Sequence, residues 1–95
     1  MKKFYVYILA SRRNGTLYIG VTSNLLKRID EHKSDFVGGF SKKYHTHLLV
    51  YYEGHKTVEE AILRERRLKK WERKWKLRLI ETDNPEWDDL YEKII

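Results

Sequence analysis

The chain has no cysteine, only one proline, and no long apolar run in its 95 residues. Without cysteine there is no disulfide, no thiolate zinc site and no cysteine nucleophile. The apolar stretch at residues 6–10 is too short for the core of a secretory leader. No segment approaches the roughly 20 apolar residues of a membrane span. A soluble, cytoplasmic protein with no membrane attachment is the plain expectation. Repeats, low-complexity tracts and linkers are also lacking, so residues 1–95 read as a single domain.

Disorder is not expected. Hydrophobic residues make up 41% of the chain, with three Trp and seven Tyr, enough for one modest core at this length. The net charge of +6 is unevenly spread. Residues 64–78 carry nine basic side chains against Glu65 and Glu72, whereas residues 81–92 carry six acids and no base. A basic patch of this kind suits a polyanionic partner, although a solvated helix face has the same composition.

Residues 4–10 (Phe-Tyr-Val-Tyr-Ile-Leu-Ala) and 16–21 are rich in strand formers, with Asn14-Gly15 between them. That dipeptide predicts a two-residue hairpin turn, pairing Arg13 with Thr16. In this register Val6, Ile8, Ile19 and Val21 share one face, and Tyr5, Tyr7 and Tyr18 the other. Thr22 or Ser23 should cap a helix reaching about Phe36, with Leu25, Leu26 and Ile29 inward. Gly38-Gly39 breaks the chain, and residues 40–44 read as a basic loop. Residues 46–53 predict a third strand, apolar enough to be central. Thr57 and Glu60 form a capping box for a helical pattern continuing to about Ile80, in one or two pieces. A short helix can follow from Glu86. The expected class is α+β, a small three-stranded antiparallel sheet flanked by helices.

Some residues bear chemistry. Arg28 and His32, four apart on a helix, share a face. Arginine offers phosphate a permanently charged planar fork, and histidine titrates near neutrality. Two exposed polar residues on a surface helix would have the same spacing. On the next helix Glu65 falls amid Val58, Ala61, Ile62 and Leu68. An inward carboxylate must be paired, protonated or metal-bound. A structural ion pair is the rival to a metal site, and Glu72 lies at a similar angle. A carboxylate, an arginine, tyrosines and a histidine are the parts of a metal-assisted phosphodiesterase.

Tyr5-Val6-Tyr7 followed by Tyr18-Ile19-Gly20 resembles the paired motifs of the GIY-YIG nuclease superfamily. Residues 25–32 (Leu-Leu-Lys-Arg-Ile-Asp-Glu-His) resemble its arginine-bearing helix. Residues 60–70 resemble the segment with its metal-binding glutamate, especially in the N-terminal nuclease domain of the bacterial excision-repair endonuclease. The whole chain is similar to small standalone bacterial members described as excinuclease-like. The match covers about residues 4–70, four blocks in order, and 71–95 form a helical C-terminal extension.

The resemblance implies a Mg²⁺- or Mn²⁺-dependent endonuclease hydrolysing phosphodiester bonds in DNA, in repair or DNA processing. It makes Tyr18 the base or water-positioning group, with Tyr7 supporting the water and metal shell. Arg28 would stabilise the transition state, His32 assist proton transfer or contact phosphate, and Glu65 ligate the metal. Gly20 would let the backbone turn closely toward the site. Lys42, Lys43, Arg64 and Arg67 are the expected phosphate contacts, with DNA as partner, RNA as an open alternative and a targeting protein compatible with the absence of a DNA-targeting domain.

Two departures stand out. Tyr5 replaces the family's first glycine, and Val21 stands where some relatives have lysine. The alternative is a nucleic-acid binder of the same fold with little turnover, which would have no need of Tyr7, Tyr18, Arg28, His32 and Glu65 together. A third reading, an interaction module built on Trp71, Trp75 and Trp87, conflicts with the expectation that these tryptophans pack in the core.

Overall fold

Strands Phe4–Ala10 (β1), Leu17–Thr22 (β2) and Leu48–His55 (β3) form one antiparallel sheet in the order β2-β1-β3. The helices are Leu25–Lys33 (α1), Phe40–Tyr44 (α2), Val58–Lys70 (α3) and Arg73–Asp83 (α4), and a 3-10 turn spans Leu90–Lys93. The computed structural model describes residues 3–35 and 39–95, without the side chains of residues 40 and 41. The class is α+β, as the sequence predicts. No helix among the described residues is long and apolar enough to cross a membrane.

β1, not β3, is the central strand. Every residue from Val6 to Ala10 is buried, because both faces of the sheet are covered. On one face Val6, Ile8, Ala10, Ile19 and Val50 meet Ala61 and Leu68 of α3, Ile80 of α4 and Trp87. On the other, Tyr7, Leu9 and Leu49 meet Leu25 and Ile29 of α1, flanked by Leu90, Tyr91 and Ile94. There are therefore two apolar clusters, one on each face, where composition alone led to an expectation of one. Each fully buried aliphatic side chain contributes about 1.5–3 kcal/mol. β3 lies at the edge yet is apolar, since α3 packs on it from one side and the C-terminal turn from the other.

The predicted hairpin register is wrong by two residues. Val6 faces Val21 and Tyr7 faces Gly20, and Ser11 N–H donates to the Thr16 carbonyl at 3.0 Å. The turn spans residues 12–15, with Gly15 N–H donating to the Arg12 carbonyl at 2.9 Å and Asn14 at φ 58°. Gly15 closes it because a Cβ there would collide with Ser11 Oγ and Arg12. A slip of two residues preserves side-chain parity, so both predicted faces survive.

The α1 cap is Asn24 rather than Thr22 or Ser23: its side chain accepts from Lys27 N–H at 3.2 Å, while Thr22 Oγ1 braces Asn24 itself. The described helix ends at Lys33, with Ser34 as its C-cap. Phe36 and Gly38, invoked for the helix end and the chain break, lie outside the described residues. The expected basic loop at 40–44 is the short helix α2. Thr57 caps α3 as predicted, accepting from Glu60 N–H at 3.2 Å. The long helical pattern is two pieces, divided at Trp71 and Glu72.

The segment after α4 closes the α1 face. Asp89 accepts from Leu49 N–H at 3.1 Å and pairs with Lys33, and Tyr91 O–H donates to Asp30. Asn84 donates to the Val50 and Asp88 carbonyls at 3.1 and 2.9 Å. These bonds fasten the helix bearing Arg28 and His32 to the sheet.

Candidate active site

Strand parity sends Tyr7 of β1 and Tyr18 of β2 to the face on which α1 packs. Their rings lie 6.3 Å apart, and the His32 ring is 5.7 Å from Tyr7 and 5.0 Å from Tyr18. The Tyr7 hydroxyl is 3.0 Å from His32 Nε2. Gly20 sits directly across from Tyr7, where a Cβ would strike the tyrosine ring and hydroxyl. The glycine of the second motif thus makes room for the tyrosine of the first. It does not turn the backbone, since it lies within a regular strand.

The charges of Arg28 and Glu65 both act on this hydroxyl. Burial, more than anything else, drives the Tyr7 pKa far above its ordinary 10, and Tyr18 adds to the rise. Glu65 pushes the same way, and Arg28 opposes it. Tyr7 is accordingly a neutral phenol. His32 is 1% exposed, and burial followed by the Arg28 guanidinium lowers its pKa from 6.5 to about 4. It is neutral near pH 7. Its place behind Tyr7 leaves no surface to meet a phosphate directly.

Tyr18, Arg28 and Glu65 are the members with solvent access. Arg28 lies 3.6 Å from Glu31 and beside a pocket of about 170 Å³ formed with Thr22, Asn24 and Lys27. Glu65 pairs at 3.2 Å with Lys69, one turn away on α3. The carboxylate side chain is 16% exposed and the lysine 54%, so the pair is open to water on its cationic side. Among the described residues no arginine forms an ion pair with Glu65.

The predicted phosphate contacts differ in availability. Lys42 and Lys43 are exposed on α2, and Arg67 is exposed on α3. Arg64 is committed elsewhere: its Nε donates to both Glu53 oxygens at 3.1 and 3.2 Å, and its guanidinium lies 5.1 Å from the Trp71 ring centroid. The sequence reading included Lys69 and Lys76 in the basic run at 64–78 without singling either out. With Leu17, Tyr18 and Ile19 they line a cleft of about 320 Å³. For Lys69 a signal was present in the i, i+4 spacing from Glu65; for Lys76 none was, because its approach depends on the α3–α4 bend.

The five-residue cluster on a three-stranded sheet defines the class. The model of the GIY-YIG catalytic domain matches residues 3–78, and the chain belongs to that family of nucleases. More particularly, it is similar to small bacterial UPF0213 proteins. One from Syntrophus aciditrophicus is 40% identical over 87 residues, covering 90% of this chain and 98% of the relative. One from Clostridium perfringens is 37% identical over 91 residues, covering 96% of each. The solution NMR structure of a UPF0213 protein from Bacillus halodurans superposes with a TM-score of 0.57 at 26% identity, covering 92% of both chains.

Proposed function

We propose that the protein is a divalent-metal-dependent endonuclease that hydrolyses phosphodiester bonds in DNA, in repair or DNA processing. The observation that carries this reading is the packing of Tyr7, Tyr18 and His32 into one cluster, with the charges of Arg28 and Glu65 near enough to act on the Tyr7 hydroxyl. A fold needs no such gathering for stability. Burying a tyrosine hydroxyl against a histidine costs more than packing a phenylalanine there.

Neutral His32 accepts a hydrogen bond from Tyr7, in the tautomer that leaves Nε2 free, and Tyr7 in turn orients the Tyr18 hydroxyl. Tyr18 faces the cleft, where its hydroxyl positions the attacking water, whose proton leaves to solvent. Arg28 stabilises charge on the phosphate as the fifth bond forms. In this scheme His32 is a positioning residue, because a group with a pKa near 4 is a poor store for that proton. Lys69 and Lys76 line the cleft that the substrate backbone enters.

The donors present suit Mg²⁺ or Mn²⁺. Among the described residues no three His, Cys, Asp or Glu gather into a cage, but Mg²⁺ commonly takes only one or two carboxylates and completes its shell with water and substrate phosphate. Glu65 would hold it, and the cation supplies Lewis-acid neutralisation of phosphate charge when bound.

The test is cleavage of supercoiled plasmid, branched DNA, single-stranded DNA and RNA with Mg²⁺, Mn²⁺ or EDTA. Metal-dependent cleavage of DNA is expected, and loss of it in Arg28→Ala excludes a contaminant. Binding without cleavage in every condition would make the chain a nucleic-acid binder on a nuclease fold.

A further inference from the structure

The bend between α3 and α4 carries two tryptophans that the core does not use. Trp87 is buried, with its Nε1 donating to Glu81 at 2.7 Å. Trp71 and Trp75 remain 36% and 43% exposed, against the expectation from sequence. Cations surround them. Arg78 lies 4.8 Å and Lys74 5.5 Å from the Trp75 ring centroid, and Arg64 takes the corresponding place at Trp71. The segment holds nine bases and two acids. Among the described residues Arg66, Arg67 and Lys70 make no ion pair.

An exposed tryptophan pair is costly in water and would be a poor surface for a neutral protein partner amid so many positive charges. Aromatic faces interleaved with cations suit one occupant well: a single-stranded polynucleotide, whose bases stack while its phosphates meet the cations. Trp75 and Lys76 are successive residues of α4, about 100° apart round its axis, so Trp75 stands on the helix face next to the one that borders the Tyr18 cleft.

We propose that Trp71 and Trp75 form a stacking platform for unpaired bases, and that the substrate class is DNA bearing a single-stranded segment beside the cleavage point. This inference rests on the reading of the chain as a DNA-cutting enzyme and specifies the substrate that reading leaves open.

The experiment compares binding of a blunt duplex and the same duplex with an oligothymidylate tail of about 8 nucleotides, within the site sizes of small single-strand binders. It is run in EDTA, by anisotropy and by tryptophan fluorescence. The tail should tighten binding and quench the exposed tryptophans, each stacked base being worth roughly 5- to 150-fold in affinity. Trp71→Ala/Trp75→Ala should lose the tail's advantage while binding the blunt duplex normally. Trp71→Phe/Trp75→Phe keeps a stacking face and should retain most of that advantage, guarding against a folding defect. Equal affinity of the native chain for tailed and blunt duplex, or an unchanged tail advantage in the alanine variant, would overturn the platform. Cleavage of both DNAs run alongside in Mg²⁺ separates the two readings. Cutting with no tail effect leaves the nuclease and removes the platform; a tryptophan-dependent tail effect without cutting does the reverse.

Discussion

Replacing Glu65 by glutamine separates a metal ligand from a structural ion pair, because shape is kept and charge is lost. The partner of Glu65 is Lys69, whose side chain is 54% exposed, in an i, i+4 pair. Such a pair contributes about 0.3–0.5 kcal/mol. Breaking it leaves the lysine in water rather than stranded, so the melting temperature should move by no more than about 4 °C in a domain of this size. A truly buried pair would cost about 3–5 kcal/mol and lower melting by well over 10 °C. Cleavage should respond in the opposite proportion. Metal stabilisation of transition-state charge is worth several kcal/mol, which at about 1.4 kcal/mol per decade is a loss on the order of 10³-fold or more. Thermal melts with and without Mg²⁺, run beside single-turnover cleavage, give both numbers. Saturating Mg²⁺ should raise the melting temperature of the native chain and leave Glu65→Gln unmoved. Glu72→Gln, whose 3.7 Å contact with Lys74 is fully on the surface, should change neither. Normal cleavage with collapsed melting in Glu65→Gln would mean that the metal site lies elsewhere and that this carboxylate is structural.

Arg28→Ala should reduce cleavage by about 10³–10⁵-fold with little loss of stability, since its only ion-pair partner is Glu31 at 3.6 Å; lysine should rescue poorly, and near-normal cleavage by the alanine variant removes Arg28 from the mechanism. The low pKa of His32 makes the unfolded chain bind the extra proton, so its contribution is fully present above pH 6.5 and is lost as pH falls toward about 4. That amounts to about 3 kcal/mol, readable as a drop in urea midpoint that His32→Gln should flatten. Gly20→Ala should cost about 1–3 kcal/mol by overpacking against Tyr7, and unchanged melting and cleavage together would remove the close approach from the account. Lys42→Ala/Lys43→Ala should lower the salt slope of DNA binding by about 2, and an unaltered slope would place α2 outside the footprint.

The sequence was most legible where physical rules are local. Two-residue parity gave Tyr7 and Tyr18 a common face even though the hairpin register was off by two, and Thr57 with Glu60 marked the start of α3. It was least legible where the competition is tertiary. Asn14-Gly15 invites a two-residue turn, but Ser11 Oγ takes the Thr16 N–H and holds the strands at a longer loop. β3 reads as central because both its faces are covered, although its outer edge has no strand beside it. At Trp71 the helix stops for lack of a continued backbone ladder, and that interruption exposes two tryptophans that composition would bury. For the site, the resemblance supplied the candidate residues, while periodicity alone could not separate Glu65 from Glu72. The bend does separate them: Glu65 is a half-buried residue within α3, its side chain 16% exposed, and Glu72 is the exposed N-cap of α4.

The ties from Asp89 to Lys33 and Leu49, and from Tyr91 to Asp30, bear on when the candidate site can form. Residues 84–94 are synthesised after every element they hold, and they lie beyond the 3–78 stretch that defines the family. Until they emerge, α1 is held to the sheet mainly by Leu25 and Ile29, and Arg28 rides on a helix of only nine residues, too short to persist unaided. A nascent or proteolytically clipped chain therefore carries all five site residues without holding them in register. The last-made segment works as a completion check on the candidate site.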